Sequence, residues 1–230
     1  MNETERKTQL HAGIDGGATQ TRCVIAGTDC IIRGMAESGP SNPLRVGVES
    51  AVREITNAVK RAAGECDIEP DKLHMACFGV AGTRDEEVRE TLLCGLRESL
   101  ETSRLTVETD ARIAFAAAIP EGFGVISLSG TGSVTYGIDL KGNSLYADGL
   151  GPLLGDEGSA YQVGLEGLRC VARQLDGRGP ATRFTETVLD ALGVYDLDSL
   201  RRLASKDGLD AVTIASLAPL ILSAFGEGDP

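Results

Sequence analysis

The chain has 230 residues, of which 42% are hydrophobic and 24% charged, and its formal net charge is −12. This length accommodates one large or two modest domains, and this hydrophobic content is sufficient to form real cores. The negative charge argues against nonspecific binding to nucleic acids or to anionic membranes, because both attract basic surfaces.

The N-terminal segment, residues 1–7, is polar and charged. It lacks the apolar core of a secretion signal, and no stretch of the chain is long and apolar enough to span a bilayer. We therefore expect a cytoplasmic protein that has neither a membrane nor a nucleic acid as its partner.

A glycine-rich turn between two apolar strands is the most informative feature of the N-terminal half. A strand over residues 12–15 ends in an aspartate, Gly16 and Gly17 turn the chain, and a second strand covers residues 22–27. Such a hairpin can direct backbone N–H groups and hydroxyl groups at phosphate oxygens. Asp15, just before the turn, is placed to hold a divalent cation that bridges those phosphates. An ordinary hairpin turn is the alternative interpretation.

The remainder of the first 118 residues predicts the order βββαβαβ. The predicted elements are a strand at 31–38, a helix from Val48 to Ala63, a strand at 74–80, a helix through Leu100, a strand at 105–110 and an alanine-rich helix at 111–118. Thr83 and Glu86 have the spacing of a capping box at the start of the second helix. Asp110 ends the last strand, where open α/β sheets place their chemistry.

The C-terminal half repeats the strand–turn–strand pattern with different residues. A strand at 124–128 opens into Ser-Gly-Thr-Gly-Ser at 129–133, and a strand at 134–138 follows. A third strand is predicted at 144–147, a long helix from Ser159, and further helices at 183–192 and 212–225, the last kinked or delimited by Pro219. Two phosphate-type hairpins suggest a duplicated architecture with a nucleotide held between the halves. We expect domains at 1–118 and 119–230, the second being helical over 159–230.

The six cysteines form no Cys-x-x-Cys pair and have no zinc spacing. Most of them follow apolar strand or helix patterns. This distribution predicts buried free thiols, not a metal site.

The ordered set of motifs DGGATQT, SNP, GVAGT, TDA, SGTGS and GDEGSAY resembles the N-acetylglucosamine kinase branch of the BadF/BadG/BcrA/BcrD ATPase family. The resemblance runs from about Ala12 to the end of the chain. It implies an α/β, actin-like ATPase (ribonuclease H-like) fold with two βββαβαβ-type domains, the second incomplete. Because family members carry a further adenosine-contacting portion, we expect a fragment or a truncated protein.

This resemblance implies ATP-dependent phosphorylation of a sugar hydroxyl, with ATP and Mg²⁺ as cofactors and N-acetylglucosamine or glucosamine as the expected partner. It implies that Asp110 is the base that accepts the hydroxyl proton and that Asp15 positions the Mg²⁺ ion. The implied phosphate contacts are Gly16, Gly17, Thr19, Gly130, Thr131 and Gly132. The implied sugar contacts are Asn42, Gly149 and Asp156.

Structural roles compete with these functional ones. Asp110 has the position of a helix N-cap, Asn42 lies in a proline-flanked turn, and Asp156 precedes a helix N-terminus, where negative charge is favourable. Two departures from the kinase pattern fall on the sugar side. Residues 148–151 read Asp-Gly-Leu-Gly where relatives commonly have Gly-Gly-Trp-Gly, and Pro43-Leu44 replaces the His-Trp-type continuation that is common after Asn42. The identity of the sugar therefore stays open.

Two other functions are alternatives to the kinase. The first is a non-catalytic module of the same family that binds a sugar or a nucleotide. The second is an ATPase activator of a dehydratase, which the absence of a cluster-type cysteine set disfavours. A homodimer is compatible with the sequence, although no sequence feature indicates one.

Overall fold

The computed structural model describes residues 9–101, 104–205 and 208–226. The segments 1–7 and 227–230, which entered the sequence predictions, lie outside these ranges. The chain divides into two compact units, residues 1–120 and 121–230. Within the described ranges, no helix combines the length and the apolar character needed to cross a bilayer.

The first unit is built on a mixed β-sheet. Its described elements are, in chain order, β1 (Leu10–Gly16), β2 (Thr21–Gly27), β3 (Ile32–Ser38), α1 (Pro43–Val46), α2 (Val48–Gly64), a 3₁₀ turn (Pro70–Lys72), β4 (Met75–Val80), α3 (Glu86–Leu100), β5 (Leu105–Glu108) and α4 (Asp110–Ala118). The strand order is β3-β2-β1-β4-β5, with β1 antiparallel to β2 and parallel to β4. The predicted βββαβαβ order is confirmed.

Alternation along the strands decides which face of this sheet is buried. In β1, Ala12 and Ile14 are buried whereas Gly13 and Asp15 are exposed, because successive side chains of a strand point to opposite faces. Helices α2 and α3 cover the buried face with a stripe of apolar residues that includes Ile55, Val59, Leu92 and Leu96. Asp15 therefore lies on the face of the sheet opposite these two helices.

The second unit begins with a three-stranded antiparallel sheet and continues with helices. Its described elements are β6 (Gly124–Ser129), β7 (Ser133–Ile138), β8 (Ser144–Asp148), α5 (Ala160–Leu175), α6 (Phe184–Ala191), α7 (Leu197–Ser205), α8 (Ala211–Ser216) and α9 (Ala218–Gly226). The strand order is β6-β7-β8. The helices share an apolar core that includes Val171, Val188 and Leu217.

The last predicted helix, 212–225, is in fact two helices. Helix α8 ends at Ser216, and α9 begins at Ala218. Pro219 occupies the second position of α9, in the first turn, where its missing N–H group costs no intrahelical hydrogen bond. The prediction that Pro219 would delimit a helix is confirmed.

The predicted capping box of Thr83 and Glu86 is wrong. Asp85 is the N-cap of α3, and its Oδ1 accepts hydrogen bonds of 2.9 and 3.1 Å from N–H groups of the first turn. The Thr83 hydroxyl is buried and donates instead to the carbonyl oxygens of Val80 (2.7 Å) and Glu108 (3.2 Å). Thr83 therefore joins the ends of β4 and β5 through their carbonyl oxygens.

All six cysteines are free thiols, as predicted, but the prediction that most are buried is wrong. Only Cys23 is buried, whereas Cys30 and Cys94 are exposed and the other three are half-buried. The apolar patterns around them belong to elements that bury only one face. Burial raises the pKa of the Cys23 thiol to about 12, so this group is not a thiolate at neutral pH.

Candidate active site

The first glycine hairpin, residues 16–21, joins β1 to β2. It is closed by a hydrogen bond of 2.9 Å from the Gly17 N–H to the Gln20 carbonyl oxygen. Asp15 immediately precedes it and is paired across the sheet with Gly79 of β4. The hairpin and the exposed Asp15 carboxylate therefore lie together at one end of β1.

The segment that carries Asn42 is tied to this hairpin by its backbone. The Gly17 carbonyl oxygen accepts hydrogen bonds from the N–H groups of Ser41 (3.0 Å) and Asn42 (3.2 Å). The buried hydroxyl oxygen of Thr21 lies 2.7 Å from both the Gly39 carbonyl oxygen and the Ser41 hydroxyl oxygen. These contacts fix the position of Asn42 relative to the two glycines.

Asn42 is the N-cap of α1, since its Oδ1 accepts a hydrogen bond of 3.0 Å from the Leu44 N–H. Gly82 lies directly against this side chain with φ of +82°, and a Cβ at position 82 would overlap Asn42 Oδ1. Ala81 donates its N–H to the Gly16 carbonyl oxygen at 2.8 Å. The turn after β4, to which the sequence assigned no site role, thus contacts both the hairpin and Asn42.

Glu54 of α2 supports the same segment from behind. Its Oε2 accepts hydrogen bonds from the Ser38 hydroxyl (2.7 Å) and from the Gly39 N–H (3.1 Å). The hydrogen bond from Ser38 is the main reason that the pKa of Glu54 is lowered, so the carboxylate is charged at neutral pH. No local sequence pattern marks Glu54, because its partners lie 15 and 16 residues away along the chain.

Asp110 is the first residue of α4, not its N-cap. The N-cap is Thr109, whose hydroxyl oxygen accepts a hydrogen bond of 3.1 Å from the Arg112 N–H. The alternative in which Asp110 serves as the cap is therefore wrong. Its carboxylate instead accepts a hydrogen bond of 2.9 Å from the Ala111 N–H. Partial burial raises the pKa of Asp110, and the nearby charge of Asp15 raises it further.

A missing side chain lets α4 approach the sheet. A Cβ on Gly79 would overlap the side chain of Ile113 from α4. Gly79 is paired with Asp15 on one side and with Glu108 on the other. The close approach of α4 at this point brings Asp110 near the Asp15 carboxylate.

The second glycine hairpin, residues 129–133, joins β6 to β7 and is anchored to the start of α5. The Gly130 N–H donates to the Gly132 carbonyl oxygen at 2.9 Å. The Ser129 hydroxyl donates to the Gly158 carbonyl oxygen at 2.7 Å, and the Ala160 N–H donates to the Gly130 carbonyl oxygen at 2.9 Å. Open space surrounds the position where a Cβ of Gly130 would stand.

Asp156 is turned toward this hairpin. It is only 8% exposed, adopts the left-handed conformation (φ +59°), and its Oδ1 accepts a hydrogen bond of 3.1 Å from the Ser133 N–H. Its other carboxylate oxygen would lie 2.9 Å from a Cβ on Gly132. The structure thus gives Asp156 a contact with the hairpin that the sequence did not indicate, and its sugar role stays a prediction.

Asp148, one of the departures on the predicted sugar side, is bonded to the second glycine hairpin. Its Oδ2 accepts a hydrogen bond of 2.7 Å from the Ser133 hydroxyl, which is the main reason that its pKa is lowered. Gly149 follows it with φ of +71° and lies against Val134. The Asp148 carboxylate is therefore bonded within the second unit, to the last residue of the second glycine hairpin.

The predicted site residues fall into two groups, one in each unit. In the first unit, the structure brings together Asp15, Gly16, Gly17, Asn42 and Asp110, with Thr19 in the turn. In the second unit, it brings together Gly130, Thr131, Gly132, Gly149 and Asp156.

The donor chemistry of the first unit suits Mg²⁺. This ion prefers carboxylate oxygens and is usually held by one or two of them together with phosphate oxygens and water. Asp15 offers such a carboxylate beside a hairpin. Among the residues that the structure describes, no group of three or more His, Cys, Asp and Glu side chains could hold a metal ion by itself. The residues therefore fit a cation shared with a phosphorylated ligand.

These features define the class of the protein. A mixed sheet in the order β3-β2-β1-β4-β5, a glycine hairpin between its first two strands and a second strand–turn–strand start in the next unit make up an α/β fold of the actin-like ATPase class. The crystal structure of a protein assigned as an N-acetylglucosamine kinase from Chromobacterium violaceum has the same fold. Its TM-score is 0.82 at 25% identity, over 94% of this chain and 74% of that one.

The chain belongs to the BadF/BadG/BcrA/BcrD ATPase family, whose model matches residues 12–230. It is 30% identical to the N-acetylmuramic acid/N-acetylglucosamine kinase of Clostridium acetobutylicum, over 94% of this chain and 71% of that protein. It is also 30% identical to the N-acetyl-D-glucosamine kinase of Dictyostelium discoideum, over 80% of this chain and 60% of that protein. The family predicted from the motifs is confirmed.

Proposed function

We propose that this chain takes part in ATP-dependent phosphorylation of a hexosamine hydroxyl, with N-acetylglucosamine and glucosamine as the first candidate acceptors. The names of the relatives support this substrate class, because both are kinases that act on N-acetylated amino sugars. The activity is a proposal for this chain, since it spans 60% and 71% of the lengths of those proteins.

The observation that carries the proposal is the environment of Asp110. A general base must be within hydrogen-bond reach of its proton, and it works best when its pKa is shifted toward the working pH. Burial and the charge of Asp15 shift the pKa of Asp110 in that direction. In its carboxylate form, Asp110 would accept the proton of an attacking sugar hydroxyl.

The remaining residues would bind and orient. Asp15 would hold Mg²⁺, while Gly16, Gly17 and Thr19 would contact phosphate oxygens through backbone and hydroxyl groups. Gly130, Thr131 and Gly132 of the second unit would likewise contact phosphate oxygens. Asn42, Gly149 and Asp156 would bind the sugar. When bound, Mg²⁺ and ATP supply the transferable phosphoryl group and the neutralisation of its charge.

The test is an ADP-release assay across a panel of amino sugars and their non-amino counterparts, with and without Mg²⁺. We expect turnover with at least one amino sugar, and much less with glucose. Sugar-dependent binding without turnover, measured by calorimetry in the presence of a non-hydrolysable nucleotide, would instead indicate the non-catalytic module. No turnover and no binding of any sugar would overturn the proposal.

A further inference from the structure

Asp148 has an unusual backbone conformation for its residue type. It is the last residue of β8 and has φ of +65°, in the left-handed region that favours glycine. A non-glycine residue persists in this region only when its surroundings hold it there. The contacts of its side chain explain what holds it.

One carboxylate joins three pieces of the second unit. Besides the Ser133 hydroxyl, Oδ2 accepts a hydrogen bond of 3.2 Å from the Glu157 N–H, and Oδ1 accepts one of 2.6 Å from the Asp156 N–H. The end of β8 is therefore bonded both to the last residue of the second glycine hairpin and to the turn before α5. Hydrogen bonds to a charged acceptor are the strong ones, so this junction is well fixed.

The junction is also tightly packed. A Cβ on Gly155 would overlap Asp148 Oδ1, so the turn before α5 approaches the carboxylate as closely as its backbone allows. The Ser133 hydroxyl oxygen accepts a further hydrogen bond, of 3.3 Å, from the Gly158 N–H. Ser133, the last residue of the hairpin, is thus held at its backbone N–H by the Asp156 carboxylate and at its hydroxyl by Asp148 and the Gly158 N–H. Asp148 in turn orients the turn before α5 by accepting from the N–H groups of residues 156 and 157.

We infer that Asp148 is a positioning residue that holds the second glycine hairpin in its phosphate-binding conformation through Ser133 and the turn at residues 155–158. The inference rests on the proposed function, because it needs the hairpin to bind the phosphates of a nucleotide. Backbone donors stabilise an anion best when they are already oriented before it binds. Without the carboxylate, Ser133 and the N–H groups of residues 156 and 157 lose their common acceptor.

The test compares Asp148→Asn and Asp148→Gly with Asp139→Asn as a matched control. Asparagine keeps the shape and one acceptor oxygen but loses the charge, whereas glycine accepts φ of +65° and loses every side-chain contact. Asp139 caps the opposite end of the β7–β8 hairpin, accepting hydrogen bonds from the N–H groups of Lys141 and Asn143 (both 2.8 Å). A six-residue strand separates it from the second glycine hairpin by roughly 20 Å.

The first readout is the affinity for Mg-ADP by calorimetry, which needs no turnover. We expect about a tenfold loss for Asp148→Asn and a larger one for Asp148→Gly, since one to three hydrogen bonds to a charged group are removed. The backbone amides of residues 130–133 should exchange faster with solvent in both variants. Asp139→Asn should leave the affinity and these amides unchanged, even where it lowers the melting temperature.

The second readout separates positioning from general destabilisation. If the kinase proposal is correct, Asp148→Asn raises the KM for ATP while the KM for the sugar stays within about twofold. Ser133→Ala combined with Asp148→Asn should weaken Mg-ADP binding by less than the product of the two single effects, because the two residues act through one contact.

Three results would overturn the inference. These are an unchanged Mg-ADP affinity in both Asp148 variants, an equal loss in Asp139→Asn, and a wild-type protein that binds no Mg-ADP. Failure of the kinase proposal looks different. Wild-type protein that phosphorylates no sugar, yet binds Mg-ADP in a manner sensitive to Asp148, would end the kinase proposal and support the positioning role.

Discussion

The negative charge of Asp15 reaches Asp110 and raises the pKa of that carboxyl group, although burial raises it more. The two residues are 95 positions apart in the sequence: Asp15 lies near the end of β1, and Asp110 begins α4 just after β5 of the same sheet. Like charges brought together in a partly buried site are expensive for folding and typical of functional sites. This pair therefore supplies the sharpest predictions for activity and for pH.

Asp110→Asn should lower kcat by about 10²–10⁴-fold, the usual contribution of a general base. Asparagine cannot accept the hydroxyl proton, but it retains the shape of the side chain and an oxygen for the Ala111 N–H. Sugar affinity, measured by calorimetry, should change by less than about threefold. A variant that keeps a tenth or more of the wild-type kcat would show that Asp110 is not the base.

The same variant should not be less stable than wild type at pH 7. Because the pKa of Asp110 is raised in the folded protein, its contribution to stability is complete below the unfolded pKa of about 3.9 and is lost as the pH rises through the folded pKa. Asp110→Asn removes this penalty, so its melting temperature at neutral pH should equal or exceed that of wild type. The difference should shrink as the pH falls toward 4.

Asp139→Asn is a control for which the stability difference from wild type has the opposite pH dependence. Hydrogen bonds from the Asn143 side chain and backbone lower the pKa of Asp139, so its contribution to stability is present above the unfolded pKa and is lost as the pH falls through the folded pKa. This variant should be less stable than wild type at pH 7 and equal to it at the acid end. If the melting temperatures of the two variants differ from wild type in the same way across the whole pH range, both assignments are contradicted.

Gly79→Ala should damage the site without touching a charged residue. Its new methyl group would overlap Ile113, so α4 and with it Asp110 must shift, at a cost of about 1–3 kcal/mol. Gly13→Ala is the matched control, since Gly13 lies in the adjacent strand with open space around its Cβ position. We expect a lower melting temperature and lower kcat only for Gly79→Ala, with partial recovery of both in Gly79→Ala/Ile113→Ala. No recovery would show that the overlap is not the cause.

Thr21→Val should affect the sugar side. It keeps the shape of a buried side chain but leaves the Gly39 carbonyl oxygen and the Ser41 hydroxyl without their shared partner, at a cost of about 1–3 kcal/mol. Because these contacts hold the segment that carries Asn42, the KM for the sugar should rise more than the KM for ATP. Thr106→Val, at an exposed position of β5, should change neither value. Equal increases in both KM values for Thr21→Val would show that its effect is not specific to sugar binding.

Several features of the site were visible only in part from the sequence. The glycine hairpins, Asp15 and Asp110 were found because each lies at or just after the end of an apolar strand, which is a local signal. Thr21, Glu54 and Asp148 were missed or misplaced, because each acts through partners that are eight or more residues away along the chain. The choice of Asp85 over Thr83 as the cap of α3 likewise depended on carbonyl oxygens at the ends of two neighbouring strands.

The sequence by itself determined the family and the order of strands and helices, because side-chain periodicity and glycine placement are properties of short segments. Tertiary structure alone decided the surroundings of each carboxylate. Whether Asp110 is a cap or a partly buried group with a raised pKa, and whether Asp148 faces a ligand or a serine, depends on residues brought together by the folding of distant segments. Desolvation and hydrogen bonding act through space, so no local pattern encodes them.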